Sequence, residues 1–309
     1  MSYFYGPVPS RRLGISLGVD LIPQKTCSFD CLYCQLGREG RKVVRRFSYI
    51  DFNILKKELK EIVKNKLKID YITISGSGEP TLHKDLDKII DIIKRISKNK
   101  YPVCVITNSS LLYRKNVREE LRKADLIIPS LDAASTQTFR KINRPCKDIT
   151  FNKIVKGLIA LRKEYNGKIW LEIMFVGGIN DTIAEAEKFK EIIKRVKPDK
   201  VQVNIPVRPT DVKIPFVNFK RLKKIKNILS ESAEVVSTFR EKRRPGKDHR
   251  DLEKKILNFL KVRPARHEDF LSSLGANSLD IKNSIDSLVK RKCIKKRPYK
   301  GKNYFVRNG

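Results

Sequence analysis

The chain is poor in acidic residues, histidine and long apolar runs. It has 34 Asp and Glu against 68 Lys and Arg, for a formal net charge of +34. Ion-pair networks need acids as well as bases, so they do not explain a two-to-one excess of base. The excess indicates a polyanionic partner: nucleic acid, an anionic membrane surface or a heavily phosphorylated substrate. We favour nucleic acid.

The apolar runs are too short for a membrane span. Residues 69–74 and 126–128 are examples, and a bilayer needs about 20 apolar residues. The first residues contain no cationic stretch that leads into an apolar segment, so we expect no secretory signal. The sequence therefore predicts a cytoplasmic protein with reduced thiols and no membrane partner.

Cysteine is scarce, and half of it lies on one short segment. No cysteine precedes Cys27, and three of the six form the C-x3-C-x2-C run Cys27, Cys31 and Cys34. Three thiolates hold three irons of a cubane cluster and leave the fourth iron open to a ligand. A zinc site is the alternative, but it usually needs a second ligand pair, and the nearest candidates are the distant His83 and Cys104. The spacing favours an iron–sulfur cluster.

Short β-type runs alternate with amphipathic helical segments between about residues 13 and 206. The predicted strands are 15–21, 71–75, 103–107, 126–131, 169–175 and 201–205; the predicted helices are 53–66, 86–98, 116–123, 136–142, 151–165 and 183–194. This alternation indicates an α/β fold whose parallel strands form an open sheet or partial barrel. Sites in such folds lie at the carboxyl ends of strands, and the cysteine run follows the first strand.

The cysteine spacing, with Tyr33 before the last cysteine, resembles the signature of the radical SAM superfamily. The resemblance implies a partial (β/α)6 barrel, a 4Fe-4S cluster, S-adenosyl-L-methionine (SAM) bound at the open iron, and an electron donor such as ferredoxin or flavodoxin. It also implies reductive cleavage of SAM to a 5′-deoxyadenosyl radical, which takes a hydrogen atom from the substrate.

Residues 5–20, the cysteine run and the later Ile-Asn-Arg-Pro segment resemble an archaeal and bacterial group related to tRNA wyosine (4-demethylwyosine) synthases. Those synthases carry further upstream cysteines for a second cluster, which this chain lacks. The resemblance therefore favours RNA over DNA as the substrate, with a modification other than wyosine formation.

The same resemblance implies the cofactor contacts. A Gly-Gly-Glu run binds the SAM amino group in the superfamily, and here Ser77, Gly78 and Glu79 occupy that place. Polar residues at later strand ends contact the carboxylate, ribose and adenine; their counterparts here are Asn108, Ser130, Asp132 and Asn204. Taken alone, these residue types are also ordinary turn and cap residues. No catalytic acid or base is assigned.

Two basic segments are candidates for substrate binding. The first follows the cysteines and contains Arg38, Arg41, Lys42, Arg45 and Arg46; the second, near the C-terminus, contains Lys290, Arg291, Lys295 and Lys296. Lys and Arg contacts to phosphates give salt-dependent affinity. The alternative is a pair of solvated surface segments.

The pattern predicts three parts: residues 1–239 as the barrel domain with an N-terminal extension, 240–248 as a basic linker, and 249–309 as a winged-helix domain. The last combines three helices with a β-hairpin: the helices are predicted at 252–262, 267–274 and from a cap at Asn277 or Ser278 to about 291, and the strands at 293–297 and 303–306. The leading hypothesis is a radical SAM enzyme that modifies RNA, with tRNA favoured. The alternatives are an enzyme acting on a protein or small metabolite, with the winged helix as a docking module, and a DNA-binding regulator with an iron–sulfur sensor.

Overall fold

The computed structural model describes residues 2–37, 41–65, 67–236 and 252–308. Its centre is one eight-stranded sheet, and strands are numbered along the chain. In spatial order they are β1 (Phe4–Ser10), β2 (Gly14–Val19), β5 (Tyr71–Ile74), β6 (Val103–Thr107), β7 (Leu126–Pro129), β8 (Lys168–Met174), β9 (Lys200–Asn204) and β10 (Ala233–Val235). A separate short pair joins β3 (Thr26–Cys27) to β4 (Arg41–Lys42). Every neighbouring pair from β2 to β10 is parallel, and β1 runs antiparallel to β2.

Helices occupy the connections between the parallel strands. They are α1 (Phe52–Lys64), α2 (Leu86–Ile96), α3 (Lys115–Leu121), α4 (Thr136–Asn143), α5 (Phe151–Glu164), α6 (Ile183–Val196) and α7 (Phe219–Leu229). Several of these helices have side-chain caps at their N-termini. Asp51 accepts from the backbone N–H groups of Asn53 and Ile54 at the start of α1, and Thr150 and Thr182 cap α5 and α6. The apolar faces of these helices meet strands such as β5 and β6 in one buried core.

The α/β class and the predicted strand–helix alternation are confirmed, and the sheet is mostly parallel. The sequence did not predict β1, α7 or β10. β1 contains Pro7 and Pro9, which argue against a central strand, but β1 lies at the sheet edge, where proline is tolerated. Because β1 and β10 are both edges, the sheet is open.

Residues 252–308 form what we call the C-terminal unit. It contains α8 (Leu252–Val262), α9 (His267–Leu274), α10 (Ser278–Lys290), β11 (Ile294–Tyr299) and β12 (Lys302–Arg307), the last two as an antiparallel hairpin. Its buried core includes Phe259 and Phe270, and Val8 of β1 belongs to the same cluster. The unit is therefore packed on the edge of the sheet. The predicted linker, 240–248, lies outside the described residues.

Over the described ranges, every helix is either too short or too polar to cross a bilayer.

Candidate active site

The three motif cysteines lie on a loop at the carboxyl end of β2. Cys27 ends β3, and the backbone N–H of Cys34 donates to the carbonyl of Cys31 at 3.0 Å. The loop is tied to the end of α4, because the N–H of Leu32 donates to Ile142 O at 2.9 Å. Two amides reach the sulfurs: Asn108 Nδ2 lies 3.3 Å from Cys27 Sγ, and Asn143 Nδ2 lies 3.5 Å from Cys31 Sγ. The loop thus has a fixed backbone and oriented thiols.

All three cysteines line one cavity of about 310 Å³. Burial raises the pKa of Cys27 to about 12 and also raises the pKa values of Cys31 and Cys34. Thiolates in such surroundings form when a bound cation replaces the proton. In the described ranges, no three His, Cys, Asp or Glu side chains are placed to hold a single metal ion. Three soft thiol donors facing a cavity of this size fit a cluster with three cysteine ligands.

Glu79 lies in the loop after β5, where it begins the short 3₁₀ turn Pro80–Leu82, and it is buried. Its Oε1 accepts from the Thr81 N–H at 3.0 Å and from the hydroxyls of Thr81 and Thr107, both at 2.6 Å. Its Oε2 accepts from the Asn108 N–H at 2.7 Å and retains a lone pair for a further donor. Burial raises the pKa of Glu79, although these bonds oppose the shift. The carboxylate lines a second cavity of about 350 Å³ and is oriented to accept from an ammonium group.

The residues before Glu79 bring the backbone close to the cysteine loop. Ser77 Oγ donates to Asp20 Oδ2 at 2.6 Å, so the serine side chain is used within the protein. A Cβ on Gly78 would lie 2.1 Å from Thr26 O, which only glycine avoids. Replacing the first glycine of the superfamily pattern by Ser77 therefore adds a bond to Asp20 and leaves the close approach at Gly78 intact.

The remaining predicted cofactor residues divide into two groups. Asn108 and Ser130 line the same cavity as Glu79, and Asn204 lines the cavity with the cysteines. Asp132 accepts from the Tyr33 hydroxyl, from Asn143 Nδ2 at 2.8 Å and from Met174 N at 3.0 Å. It lines neither cavity, and its contacts orient the cysteine loop. The contacts of Asn108, Ser130, Asp132 and Asn204 with SAM stay predictions.

The Lys and Arg residues predicted to bind substrate differ in their exposure and in their partners. Lys42 and Arg45 are exposed beside the cysteine loop, and Lys290, Arg291, Lys295 and Lys296 are exposed on the C-terminal unit. Arg46 is bonded within the protein, since it donates to Thr81 O at 2.8 Å and His83 O at 2.6 Å and pairs with Glu120. Arg38 lies outside the described residues, and only the backbone of Arg41 is described, in β4.

Sequence reasoning assigned no role to several residues that the fold brings to the site. Asn143 joins Cys31 to Asp132, and Arg12 pairs with Glu172, which accepts from Asn204 Nδ2 at 2.9 Å. The Ile-Asn-Arg-Pro segment was a signal for Asn143. The pairing of Arg12 with Glu172 had no signal, because it joins the β1–β2 turn to β8.

Comparison with known proteins identifies the family. The model of the radical SAM superfamily matches residues 21–205. A UPF0026 protein of Methanocaldococcus jannaschii is 35% identical over 100% of this chain and 97% of its own length. The GTPase Obg of Brachyspira hyodysenteriae is 40% identical over 93% of this chain, which spans 42% of that protein.

Two more distant similarities bear on fold and function. A Thermotoga (strain RQ2) protein named "probable dual-specificity RNA methyltransferase RlmN" is 26% identical over 71% of this chain and 63% of its own length. The solved structure of TYW1 with a lysine-pyruvate adduct has a TM-score of 0.54 at 20% identity, over 74% of this chain and 76% of that one. The latter likeness concerns the fold alone.

The cysteine loop, the oriented carboxylate of Glu79 and the matched family model agree, and the chain belongs to the radical SAM superfamily as an enzyme that uses a 4Fe-4S cluster and SAM.

Proposed function

We propose that this enzyme modifies RNA, with tRNA as the favoured substrate. When bound, a reduced cluster and SAM would supply the radical chemistry that removes a hydrogen atom from the substrate. Ferredoxin or flavodoxin would supply the electron, in the cytoplasm, where the thiols stay reduced. The chain's own residues hold the loop, accept from the SAM ammonium through Glu79 and shield the cavities from water.

The observation that carries the RNA proposal is the exposed basic hairpin of the C-terminal unit. Residues 290–302 contain eight Lys and Arg and no acid. Seven of these cations are exposed: Lys290, Arg291, Lys292, Lys295, Lys296, Lys300 and Lys302. Helix α10 is balanced, since Lys282 and Lys290 are offset by Asp280 and Asp286. The positive charge therefore lies at the hairpin, where it would neutralise phosphates.

The order of elements supports a winged-helix domain. Helices α8, α9 and α10 precede the β11–β12 hairpin. Ala265, which lies between α8 and α9, forms an antiparallel bridge with Phe305 of β12. Such domains place a helix in a groove and a hairpin on the backbone. We propose residues 1–239, 240–248 and 249–309 as barrel domain, linker and winged-helix domain. The RNA-related name of the Thermotoga relative also favours an RNA substrate.

One observation favours the alternative, in which the substrate is a protein or small metabolite and the C-terminal unit is a docking module. The hairpin is fixed to the loop after β9: Tyr304 donates to Val207 O at 2.9 Å and Arg297 to Thr210 O at 2.9 Å. A unit held over the cavities admits a small substrate more easily than a folded RNA.

The test is anaerobic incubation of the cluster-loaded enzyme with SAM, dithionite and total RNA, followed by mass spectrometry of 5′-deoxyadenosine and digested nucleosides. We expect a new nucleoside with the unaltered enzyme and none with Cys34→Ala. Formation of 5′-deoxyadenosine with unchanged RNA would favour the alternative. Without 5′-deoxyadenosine under any condition, the iron–sulfur sensor becomes the better hypothesis.

A further inference from the structure

Four arginines from three separate segments converge on the cavity that contains Glu79. Arg11 and Arg12 lie in the turn between β1 and β2, Arg208 follows β9, and Arg263 follows α8 of the C-terminal unit. All four line the cavity of about 350 Å³, together with Cys27 and Glu79. The arginines therefore face the same space as the cofactor residues.

Several nitrogens of these arginines have no partner within the part of the chain that the structure describes. They are Nε of Arg208 and both Nε and one terminal nitrogen of Arg263, all shielded from bulk solvent. A buried donor without an acceptor costs the desolvation of that group. The guanidinium of Arg263 also stacks on the ring of Phe259 at 4.6 Å, which fixes its plane. These donors are oriented but unsatisfied.

Nearby acids do not balance the four charges. Among the described residues, one ion pair includes any of these four arginines, and it joins Arg12 to Glu172. Asp269 lies near Arg208 and Arg263, but it is already paired with a further arginine, since Arg266 Nε lies 3.5 Å from Asp269 Oδ2. Burial and mutual repulsion lower the pKa of Arg11 to about 10 and of Arg263 to about 9. A guanidinium stays protonated at neutral pH even so, and the cavity is strongly positive.

SAM does not supply the missing negative charge. SAM is a net cation, because its sulfonium and ammonium outweigh its single carboxylate. The anionic three-thiolate cluster and cationic SAM together are close to neutral. An anion from another molecule is needed to offset the arginines.

We infer that Arg11, Arg12, Arg208 and Arg263 form an anion site that binds a phosphate group of the substrate beside the cluster. Phosphate offers several oxygens to the fork of each guanidinium. Three of these arginines, Arg11, Arg12 and Arg208, also line the cavity of about 310 Å³, so the site spans both cavities and is not confined to the space beside Glu79. The inference deepens the proposed function and rests on it for the substrate's being a nucleotide unit. A free nucleotide and a nucleotide within RNA both carry this chemistry.

The C-terminal unit takes part in this site. Lys261 Nζ lies 3.2 Å from Asp20, which also accepts from Ser77, and Gln35 Nε2 donates to Val262 O at 3.4 Å. These contacts hold the end of α8, and with it Arg263, against the cysteine loop. Substrate phosphate would therefore bridge the sheet and the C-terminal unit.

The test is calorimetric titration of the cluster-loaded, SAM-bound enzyme with inorganic phosphate and pyrophosphate at low salt. We expect saturable binding that weakens about tenfold or more in the double variant Arg208→Gln, Arg263→Gln. The matched control, Lys60→Gln with Lys64→Gln on α1, removes two exposed charges that line neither cavity and should retain the affinity. Equal weakening in both variants, no change in the first, or no phosphate binding by the unaltered enzyme would overturn the inference.

Thermal unfolding separates binding from a structural role. Because the double variant relieves repulsion between unsatisfied cations, we expect its Tm to be unchanged or higher; a clear loss of Tm would mean that the arginines are structural and would overturn the inference. Competition against phosphate with a nucleoside monophosphate and with an oligoribonucleotide then identifies the source. If phosphate binds, but RNA neither competes with it nor is modified by the enzyme, the anion site stands and the RNA proposal fails.

Discussion

The exposed hairpin of the C-terminal unit and the arginine-lined cavity are both strongly positive, but their surroundings differ. On the hairpin, Lys295 and Lys296 extend into solvent. In the cavity, Arg208 and Arg263 have shielded nitrogens and no acceptors among the described residues. Exposed charges are screened by salt over about 8 Å at physiological ionic strength, whereas buried ones are screened much less. Positive charge therefore gives weak, salt-sensitive attraction of anions at the hairpin and localised anion binding in the cavity.

The largest expected effect separates a cysteine that lines the cavity from one that does not. Cys31→Ala removes a cluster ligand from the cavity, and two cysteines do not hold the cluster. We expect the visible absorbance of the reconstituted cluster and 5′-deoxyadenosine formation to fall to background. Cys293→Ala, in the C-terminal unit, is the matched control and should retain both. Retention of full activity by Cys31→Ala would contradict the assignment of the cluster.

Burial also predicts an acid-sensitive stability. His83 is fully buried, its Nε2 and Nδ1 lie 3.2 Å and 3.1 Å from the N–H groups of Tyr49 and Asp85, and burial lowers its pKa to about 4. Asp85 opposes this shift, while Arg46 and Lys84 add to it. The unfolded chain binds a proton near pH 6.5 and the folded chain near pH 4, so stability falls as the pH drops through this window.

From this depressed pKa, the expected loss is about 3 kcal/mol between pH 6.5 and 4. Urea unfolding of the cluster-free protein across that range measures it. His83→Gln should remove most of this pH dependence, whereas His267→Gln in the C-terminal unit should leave it. An unaltered pH profile for His83→Gln would show that other groups cause the acid sensitivity.

Salt dependence tests the hairpin directly. Replacing Lys295 and Lys296 by Ala should weaken RNA binding about tenfold and reduce the slope of log affinity against log salt by about 1.5, as for two lost phosphate contacts. Filter binding at several salt concentrations measures both quantities. Formation of 5′-deoxyadenosine without RNA should be unchanged. If the slope stays the same, RNA does not contact the hairpin.

Deleting the C-terminal unit is a poorer test than these point variants. Val8 of β1 shares a core with Phe259 and Phe270, so a truncated chain would expose the edge of the sheet. It would also lose Arg263 from the cavity. Loss of activity after truncation would therefore not distinguish RNA binding from damage to the site.

The sequence predicted the local elements well and the convergence of side chains poorly. Apolar periodicity predicted α8 and α9 with the bounds that the structure has, because each pattern lies within one continuous segment. The cysteine loop and Glu79 were predictable for the same reason, since each motif follows its own strand. Arg12, Arg208 and Arg263 lie on three segments that only the tertiary fold brings together, and no local pattern indicates their shared cavity.

His83 shows the opposite failure. The sequence assigned no role to His83 and did not predict its burial. His83 follows the short 3₁₀ turn Pro80–Leu82 and is completely buried beneath Tyr49 and Phe52. The burial comes from the chain segment after the cysteine loop, which crosses over it and whose path the sequence did not predict.

The smallest expected effect distinguishes two tyrosines on one face of the hairpin, whose ring centroids are 6.3 Å apart. Tyr304 donates to Val207 O at 2.9 Å, whereas the hydroxyl of Tyr299 is buried without a partner among the described residues. Tyr304→Phe should therefore cost about 1 kcal/mol of the free energy of unfolding, and Tyr299→Phe should be neutral or slightly stabilising. Paired denaturant unfolding curves measure the difference. Equal effects of the two substitutions would mean that the Tyr304 bond does not hold the hairpin against the loop after β9.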